Sequence, residues 1–248
     1  MEYNHITIII STRNAGPYVE KCITTALEQD YPNFDVIFLD AESTDGTYEK
    51  ALQFKESTNI TVERNKKRKY QGENIRDGVL MAPNNSIIIT LDGDDWFPHK
   101  WVLNKVNEVY NSTGCWMTYG TYEEYPYRSV SHIYQEYPLE VRRSNSFRKH
   151  RWLGTHLRTF RRELFLNIKE EDLKDPRTGD YVAYAPDQTF QYPMLEMCGV
   201  DKSVYIPDIL YVYNVENPNN ESKQDTIEIE WVTNHFRSRD PYKPLEKI

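Results

Sequence analysis

Early in the chain, short and nearly unbroken apolar runs alternate with stretches of helical period. The runs predict strands at 6–12, 34–40, 60–64 and 86–91, and the stretches between them predict helices at 16–29, 45–56 and 73–81. Strands that stay apolar without alternation suit a parallel sheet covered on both faces, so the order implies a mostly parallel, doubly wound α/β domain. Gly16-Pro17 opens the first helix, with proline in the first turn where its missing N–H costs nothing. Ser43-Thr44-Asp45-Gly46 starts the second, where side-chain oxygens can cap free amides and exposed N–H groups can bind an anion; Asp45 reads as a helix-start residue.

Beyond Trp96 the pattern loosens. A helix at about 98–111 and a strand near 115–122 precede an aromatic, irregular stretch to about 153, then helices at 161–168 and 187–197 and a strand at 203–213. The final segment is charged and lacks an apolar period, so 223–248 reads as a surface helix or tail behind one domain, 1–222. No repeat or low-complexity linker divides the chain.

A length of 248 residues suits a single α/β domain with a substantial core. The net charge of -8 argues against a general nucleic-acid binder. Cys22, Cys115 and Cys198 show neither metal-ligand spacing nor a disulfide framework, and the expectation is buried thiols in a reducing compartment. The opening residues lack the features of a signal peptide and no run is long enough to span a bilayer, so a cytoplasmic location is expected. Sequon matches, including Asn220-Glu221-Ser222, carry no meaning without secretion.

The sharpest chemical signal is Ile87-Ile88-Ile89-Thr90-Leu91 ending in Asp92-Gly93-Asp94-Asp95. A buried strand here delivers carboxylates to the edge where α/β proteins place ligands. Crowded carboxylates repel unless a cation joins them, and a hard Mg²⁺ or Mn²⁺ would relieve the repulsion while selecting a phosphorylated partner. Asp-Gly-Asp-Asp is also ordinary turn chemistry. Two basic runs, Arg64 to Lys69 and Arg142 to Arg151, read as solvated loop charge or as a cradle for phosphate.

The ordered set Ile8-Ile9-Ile10-Ser11-Thr12-Arg13-Asn14 with Tyr18-Val19, then Phe38-Leu39-Asp40-Ala41-Glu42-Ser43-Thr44-Asp45-Gly46-Thr47, then Thr90-Leu91-Asp92-Gly93-Asp94-Asp95 resembles the inverting glycosyltransferases of family 2. Trp152 to Phe160, Tyr192 to Met197 and Tyr211 to Asn214 look like a subgroup found in bacteria and large DNA viruses. The resemblance implies a GT-A fold, Rossmann-like, with a nucleotide-sugar half at 1–95 and an acceptor half at 96–222. It implies a UDP-sugar as preferred donor, a hydroxyl of a glycan or protein as acceptor, and Mn²⁺ or Mg²⁺ as cofactor.

By the same resemblance Ser11, Thr12, Arg13 and Asn14 surround the donor, where the usual Pro-x-Tyr-Asn reads Ser-Thr-Arg-Asn. Either Asp40 or Glu42 reads the base, and Asn74, Asp92 and Gly93 belong to the donor site. Asp94 is the implied metal ligand, with Asp92 on the ribose or the metal, while Asp95 is a structural residue expected to tolerate change. Ala185-Pro186-Asp187-Gln188 matches the place of the catalytic base, which makes Asp187 either that base or a helix cap. Trp152, His156 and Arg158 face the diphosphate or the acceptor, His156 having a purely structural reading as well.

Two other readings stay open. A phosphohydrolase of the haloacid dehalogenase type would use Asp40 as nucleophile, although Glu42 departs from its second aspartate. A non-catalytic sugar-nucleotide binding module would keep the pocket without the chemistry.

Overall fold

A computed structural model describes residues 2–130, 132–218 and 225–248. The boundary expected at 222 and the sequon at Asn220 lie outside the described residues. Strands β1 (Ile6–Thr12), β2 (Phe34–Asp40), β3 (Ile60–Arg64) and β4 (Ile87–Asp92) pair in parallel in the order β3-β2-β1-β4. Every residue of β1 is buried, as unbroken apolar runs require of a strand covered on both faces.

Four helices cover the two faces. Helices α1 (Val19–Leu27) and α4 (Val102–Thr113) pack Val19, Cys22, Ile23, Val102 and Val106 against Ile8, Ile10, Ile87 and Ile89. On the other face α3 (Gln71–Met81) and α7 (Pro186–Cys198) bring Ile75, Val79, Phe190 and Leu195 onto Ile9, Ile37 and Ile88. A side chain at Gly78 would come within 2.8 Å of Ile9, so glycine lets α3 lie close on β1. The predicted helix at 16–29 begins later, because Gly16 and Pro17 form a turn in which the Tyr18 and Val19 N–H groups both donate to the Ala15 carbonyl. The predicted 45–56 helix is a short α2 (Thr47–Ala51) that tightens into a 3₁₀ turn, Leu52–Phe54.

The second half departs further from expectation. Strand β5 (Met117–Tyr125) pairs with a two-residue β6 (Ser129–Val130), and α5 (Leu139–Arg143) follows. Strand β7 (Thr155–Arg161) then runs antiparallel between β4 and β5 at the centre of the sheet, where the sequence reading places no strand. Its polar residues defeat a hydropathy pattern, and the buried Thr159 is satisfied in place, bonding Thr118 at 2.6 Å and Tyr110 at 2.9 Å. The predicted 161–168 helix shrinks to α6 (Arg162–Leu166), and β8 (Ser203–Asn214) pairs in parallel with β5. Among the described residues the sheet is therefore mixed, with eight strands.

The C-terminal segment is helix α8 (Thr226–Ser238), capped by Asp225, whose carboxylate accepts from Glu228 N–H at 3.0 Å. It is anchored beneath by Arg148, whose guanidinium donates to both oxygens of the fully buried Glu196 and to the Phe236 carbonyl. Tyr242 N–H donates to the same carboxylate at 2.9 Å, so one ion pair fixes α7, α8 and the chain end. Removing one partner of such a pair leaves a charge buried alone. Arg148→Leu should lower stability by about 3–5 kcal/mol, read as a fall in the midpoint of chemical denaturation; an unchanged midpoint would show that the pair does not hold this corner.

Candidate functional site

The strand order reverses between β2-β1 and β1-β4, and a crevice opens where the carboxyl ends of β1 and β4 lie side by side. Register sets Ser11 beside Asp92. Since β7 is antiparallel, its first residues reach the edge at which the parallel strands end, with Arg158 opposite Thr90. A cavity of about 400 Å³ there is lined by Ser11, Thr12, Arg13, Asn14, Asp92, Asp94, His156, Arg158 and Asp187, residues that are distant in sequence.

Other candidates sit around this cavity rather than on its wall. Asn74 is fully buried and donates to Ser11 Oγ at 3.2 Å, holding a wall residue from behind. Gly93 packs so closely on Thr12 that a Cβ would stand 2.2 Å from it. Trp152 meets the Tyr192 ring edge-on with centroids 4.9 Å apart. Glu42 is exposed with φ of 62°, next to Ala41 on the cavity wall. Asp40 is fully buried, accepts from Ser43 N–H at 2.9 Å and faces Arg64 at 3.6 Å. The carboxylate that a phosphohydrolase would use as nucleophile is thus engaged through Oδ2 in its own turn and does not line the cavity. Asp45 accepts from Gly16 and Thr47 and lies below the usual carboxylate range; burial would raise it, but these hydrogen bonds outweigh that effect.

Each carboxylate at the end of β4 has its own donors. Asp92 receives the Gln71 side-chain amide. Asp94 Oδ2 accepts from Asn217 at 2.7 Å. Asp95 is buried, taking the Tyr211 hydroxyl at 2.6 Å and the Asn214 N–H at 2.7 Å. The structural role expected of Asp95 is its role here, but tolerance to change is not: replacement strands two buried donors of β8.

Burial pushes Asp92 up to about 6, Arg158 pulling it back while Asp94 and Asp187 add to the rise. Asp94 is raised by burial against its bond from Asn217, and Asp95 well raised by burial and by both neighbours.

Asp187 lies in the first turn of α7, after Pro186 and after Ala185, which has a left-handed φ of 46°. No side-chain cap is made at this helix start, so the carboxylate does not serve as the cap that a bland reading offered. Instead Asp187 Oδ2 accepts from Arg158 Nη2 at 2.9 Å. His156 is buried and stacks on Tyr211 with centroids 4.1 Å apart. Burial and then Arg158 hold its imidazole well below its ordinary pKa, and its Nδ1 makes no hydrogen bond. It is neutral at pH 7 and can serve a ligand as donor or acceptor.

Arg68 and Lys69, from the first basic run, stand on the cavity wall, whereas sequence reasoning missed Tyr70, Gln71, Tyr184, Tyr213, Asn217 and Ile229 there. Gln71 and Asn217 matter most, being the donors to Asp92 and Asp94. The run Asn214-Val215-Glu216-Asn217-Pro218 carries the one available signal, polar residues closing a long strand.

Among the described residues, no group of three or more His, Cys, Asp or Glu side chains could hold a metal ion unaided. The donor set still fits a hard cation. Asp92 and Asp94 are half-buried residues that line the cavity, and such ions commonly take a few carboxylates and complete their shell with phosphate and water.

Comparison with known proteins agrees with this architecture. The model of the family described as "Glycosyl transferase family 2" matches residues 7–168. A curated relative from Methanococcus voltae, dolichyl N-acetyl-alpha-D-glucosaminyl phosphate 3-beta-D-2,3-diacetamido-2,3-dideoxy-beta-D-glucuronosyltransferase, is 36% identical over 112 residues. That match takes in 43% of this chain and 34% of the relative, so the chain spans about a third of that protein's length. Staphylococcus aureus TarS 1–349 in complex with UDP-GlcNAc superimposes with a TM-score of 0.67 at 15% identity, over 94% of this chain and 66% of that one. The mannosyltransferase PcManGT from Pyrobaculum calidifontis, in complex with GDP-Man and Mn²⁺, gives 0.59 at 20% identity, over 88% and 59%. The two solved structures establish the GT-A fold. Among the described residues no helix is long and apolar enough to cross a membrane.

Two outcomes test the site. Asp95→Ala should cost about 1–3 kcal/mol for each donor left unpaired, seen as a lower denaturation midpoint. The raised Asp92 sets a pH dependence: the folded protein keeps a proton that the unfolded chain has released, so without metal stability falls as pH rises from the ordinary carboxylate range to about 6 and then levels. Mn²⁺ should therefore raise the unfolding temperature more at pH 7.5 than at pH 4.5, and equal shifts would contradict the electrostatic assignment.

Proposed function

The chain belongs to glycosyl transferase family 2, and from that premise we propose that it moves a sugar from a nucleoside diphosphate sugar to a hydroxyl of a glycan or protein. The proposed reaction inverts the anomeric centre, is assisted by Mn²⁺ or Mg²⁺, and uses UDP as the preferred nucleotide. One observation carries this reading: Asp92 and Asp94 share one cavity with Asp187, the former at the end of β4 and the latter at the start of α7. Likeness to TarS bound to UDP-GlcNAc supports the donor class, and likeness to PcManGT bound to Mn²⁺ supports the cofactor.

In this reading residues 1–95 hold the donor and 96–222 receive the acceptor, with 223–248 as the C-terminal element. Ser11, Thr12, Arg13 and Asn14 line the nucleotide side of the cavity, backed by Asn74. Asp94 and Asp92 would hold the cation, which would supply charge neutralisation to the diphosphate. Asp187 takes the proton of the acceptor hydroxyl, whose oxygen forms a bond to the anomeric carbon as that carbon's bond to the diphosphate oxygen breaks. Placing the base on the acceptor side and the acids on the donor side gives a single displacement with inversion. His156, neutral, contacts sugar or phosphate oxygen. All three cysteines are free and buried, which fits the cytoplasm we propose as the site of action.

A screen of nucleotide sugars by thermal shift, with Mn²⁺ or Mg²⁺ present, should find a UDP-sugar that stabilises the fold, followed by release of UDP when an acceptor is supplied. Stabilisation without any turnover across an acceptor panel would favour a binding module instead. Asp187→Ala should retain that stabilisation and lose about 10²- to 10⁴-fold in transfer rate; full transfer by this variant would refute the base.

A further inference from the structure

Arg158 stands among groups that need it at different moments. Its Nη2 donates to Asp187 Oδ2 at 2.9 Å, and both residues line the cavity that Asp92 and Asp94 also line. Its Nε is buried without a hydrogen-bond partner, so the guanidinium still has a donor to give. The two residues are anchored differently. Arg158 is fixed at its backbone in the sheet opposite Thr90 and carries a long flexible side chain, whereas Asp187 is short and held at the first turn of α7.

We propose that Arg158 is a positioning residue shared between Asp187 and the donor's diphosphate: it holds the base while the cavity is free of donor and passes to the departing diphosphate during transfer. The inference rests on the functional reading above, with Asp187 as base and the diphosphate beside Asp92 and Asp94. In the transfer step the hydroxyl proton moves to Asp187, a lone pair of the acceptor oxygen forms the bond to the anomeric carbon, and the electron pair of the broken bond leaves with the phosphate oxygen. Asp187 loses a negative charge while the diphosphate gains one. A guanidinium within reach of both is released by one group as the other comes to need it, which stabilises the transition state more than the ground state. Its planar fork suits carboxylate and phosphate alike.

If the two anions compete for one guanidinium, Asp187 weakens nucleotide binding through Arg158, and the coupling can be measured without turnover. Isothermal titration of UDP in the presence of Mn²⁺ would compare the wild type with Asp187→Asn, Arg158→Gln and the double variant, each checked for folding by thermal unfolding. Asp187→Asn should bind UDP about fivefold tighter, Arg158→Gln should bind it more weakly, and the double variant should lose the gain. Should Arg158→Gln fail to fold, Arg158→Lys takes its place and should blunt the gain by removing the fork. A gain that persists without the arginine would reflect simple relief of repulsion and overturn the inference, as would unchanged or weaker binding by Asp187→Asn. Either result leaves the base assignment standing on its own transfer assay. A wild-type protein that does not bind UDP would instead remove the donor reading and this inference with it.

Discussion

A carboxylate taken out of water must be met by a donor or a cation, and β4 ends in three of them within four residues, Asp92, Asp94 and Asp95. Much of the architecture around the crevice follows from that demand. Asp95, the most deeply buried, is met by Tyr211 and Asn214, which ties β8 to the end of β4 although the two strands are not paired in the sheet. Asn217, just beyond β8, reaches Asp94. Gln71, at the start of α3, reaches Asp92 from the opposite side. The acids therefore act as a junction at which the first four, parallel strands and the later strands are joined.

The antiparallel strand β7 makes the junction chemically useful. A further parallel strand beside β4 would have to present its carboxyl end to the crevice after another crossover. An antiparallel one brings its first residues there directly, and they are His156 and Arg158, a neutral imidazole and a cation beside the acids. Both line the same cavity. Helix α7, packed on that sheet through Phe190 and Leu195, then sets Asp187 against Arg158. The cavity thus takes its acids from the end of β4, Arg158 from β7 and its candidate base from α7, each from an element whose position is settled by packing elsewhere.

This explains which parts were legible in the sequence. Strands β1, β2, β3 and β4 could be read because double burial forces unbroken apolar runs, and the acids at the end of β4 stand out against such a run. Asp187 could be read from Pro186 at the helix start together with the family pattern. Strand β7 could not, because Thr155, His156 and Thr159 are buried polar residues, and the partners of Thr159 lie on other elements, to which hydropathy has no access. The same holds for Gln71 and Asn217, whose importance lies entirely in contacts spanning 21 and 123 positions of sequence. The two donors that Asp95 engages on β8 were hidden for the same reason, since they lie more than a hundred positions away.

Local rules are broken where the crevice opens. Asn14 and Ala185 take left-handed backbone at φ of 56° and 46°, and both line the cavity; Glu42, at 62°, adjoins it. Non-glycine residues in that region carry strain that persists only where surrounding contacts over-determine it. Asn14 shows those contacts, donating its N–H to Ser43 Oγ at 2.9 Å and accepting from Thr44 N–H at 3.0 Å, so that the loops after β1 and β2 brace each other. Strained loops, raised carboxylates and an unpartnered imidazole nitrogen share one edge of the sheet. An anionic ligand arriving with a divalent cation would compensate the charges, so binding and stability are expected to rise together here, and the fold spends on this edge the consistency between local preference and global structure that it keeps in the core.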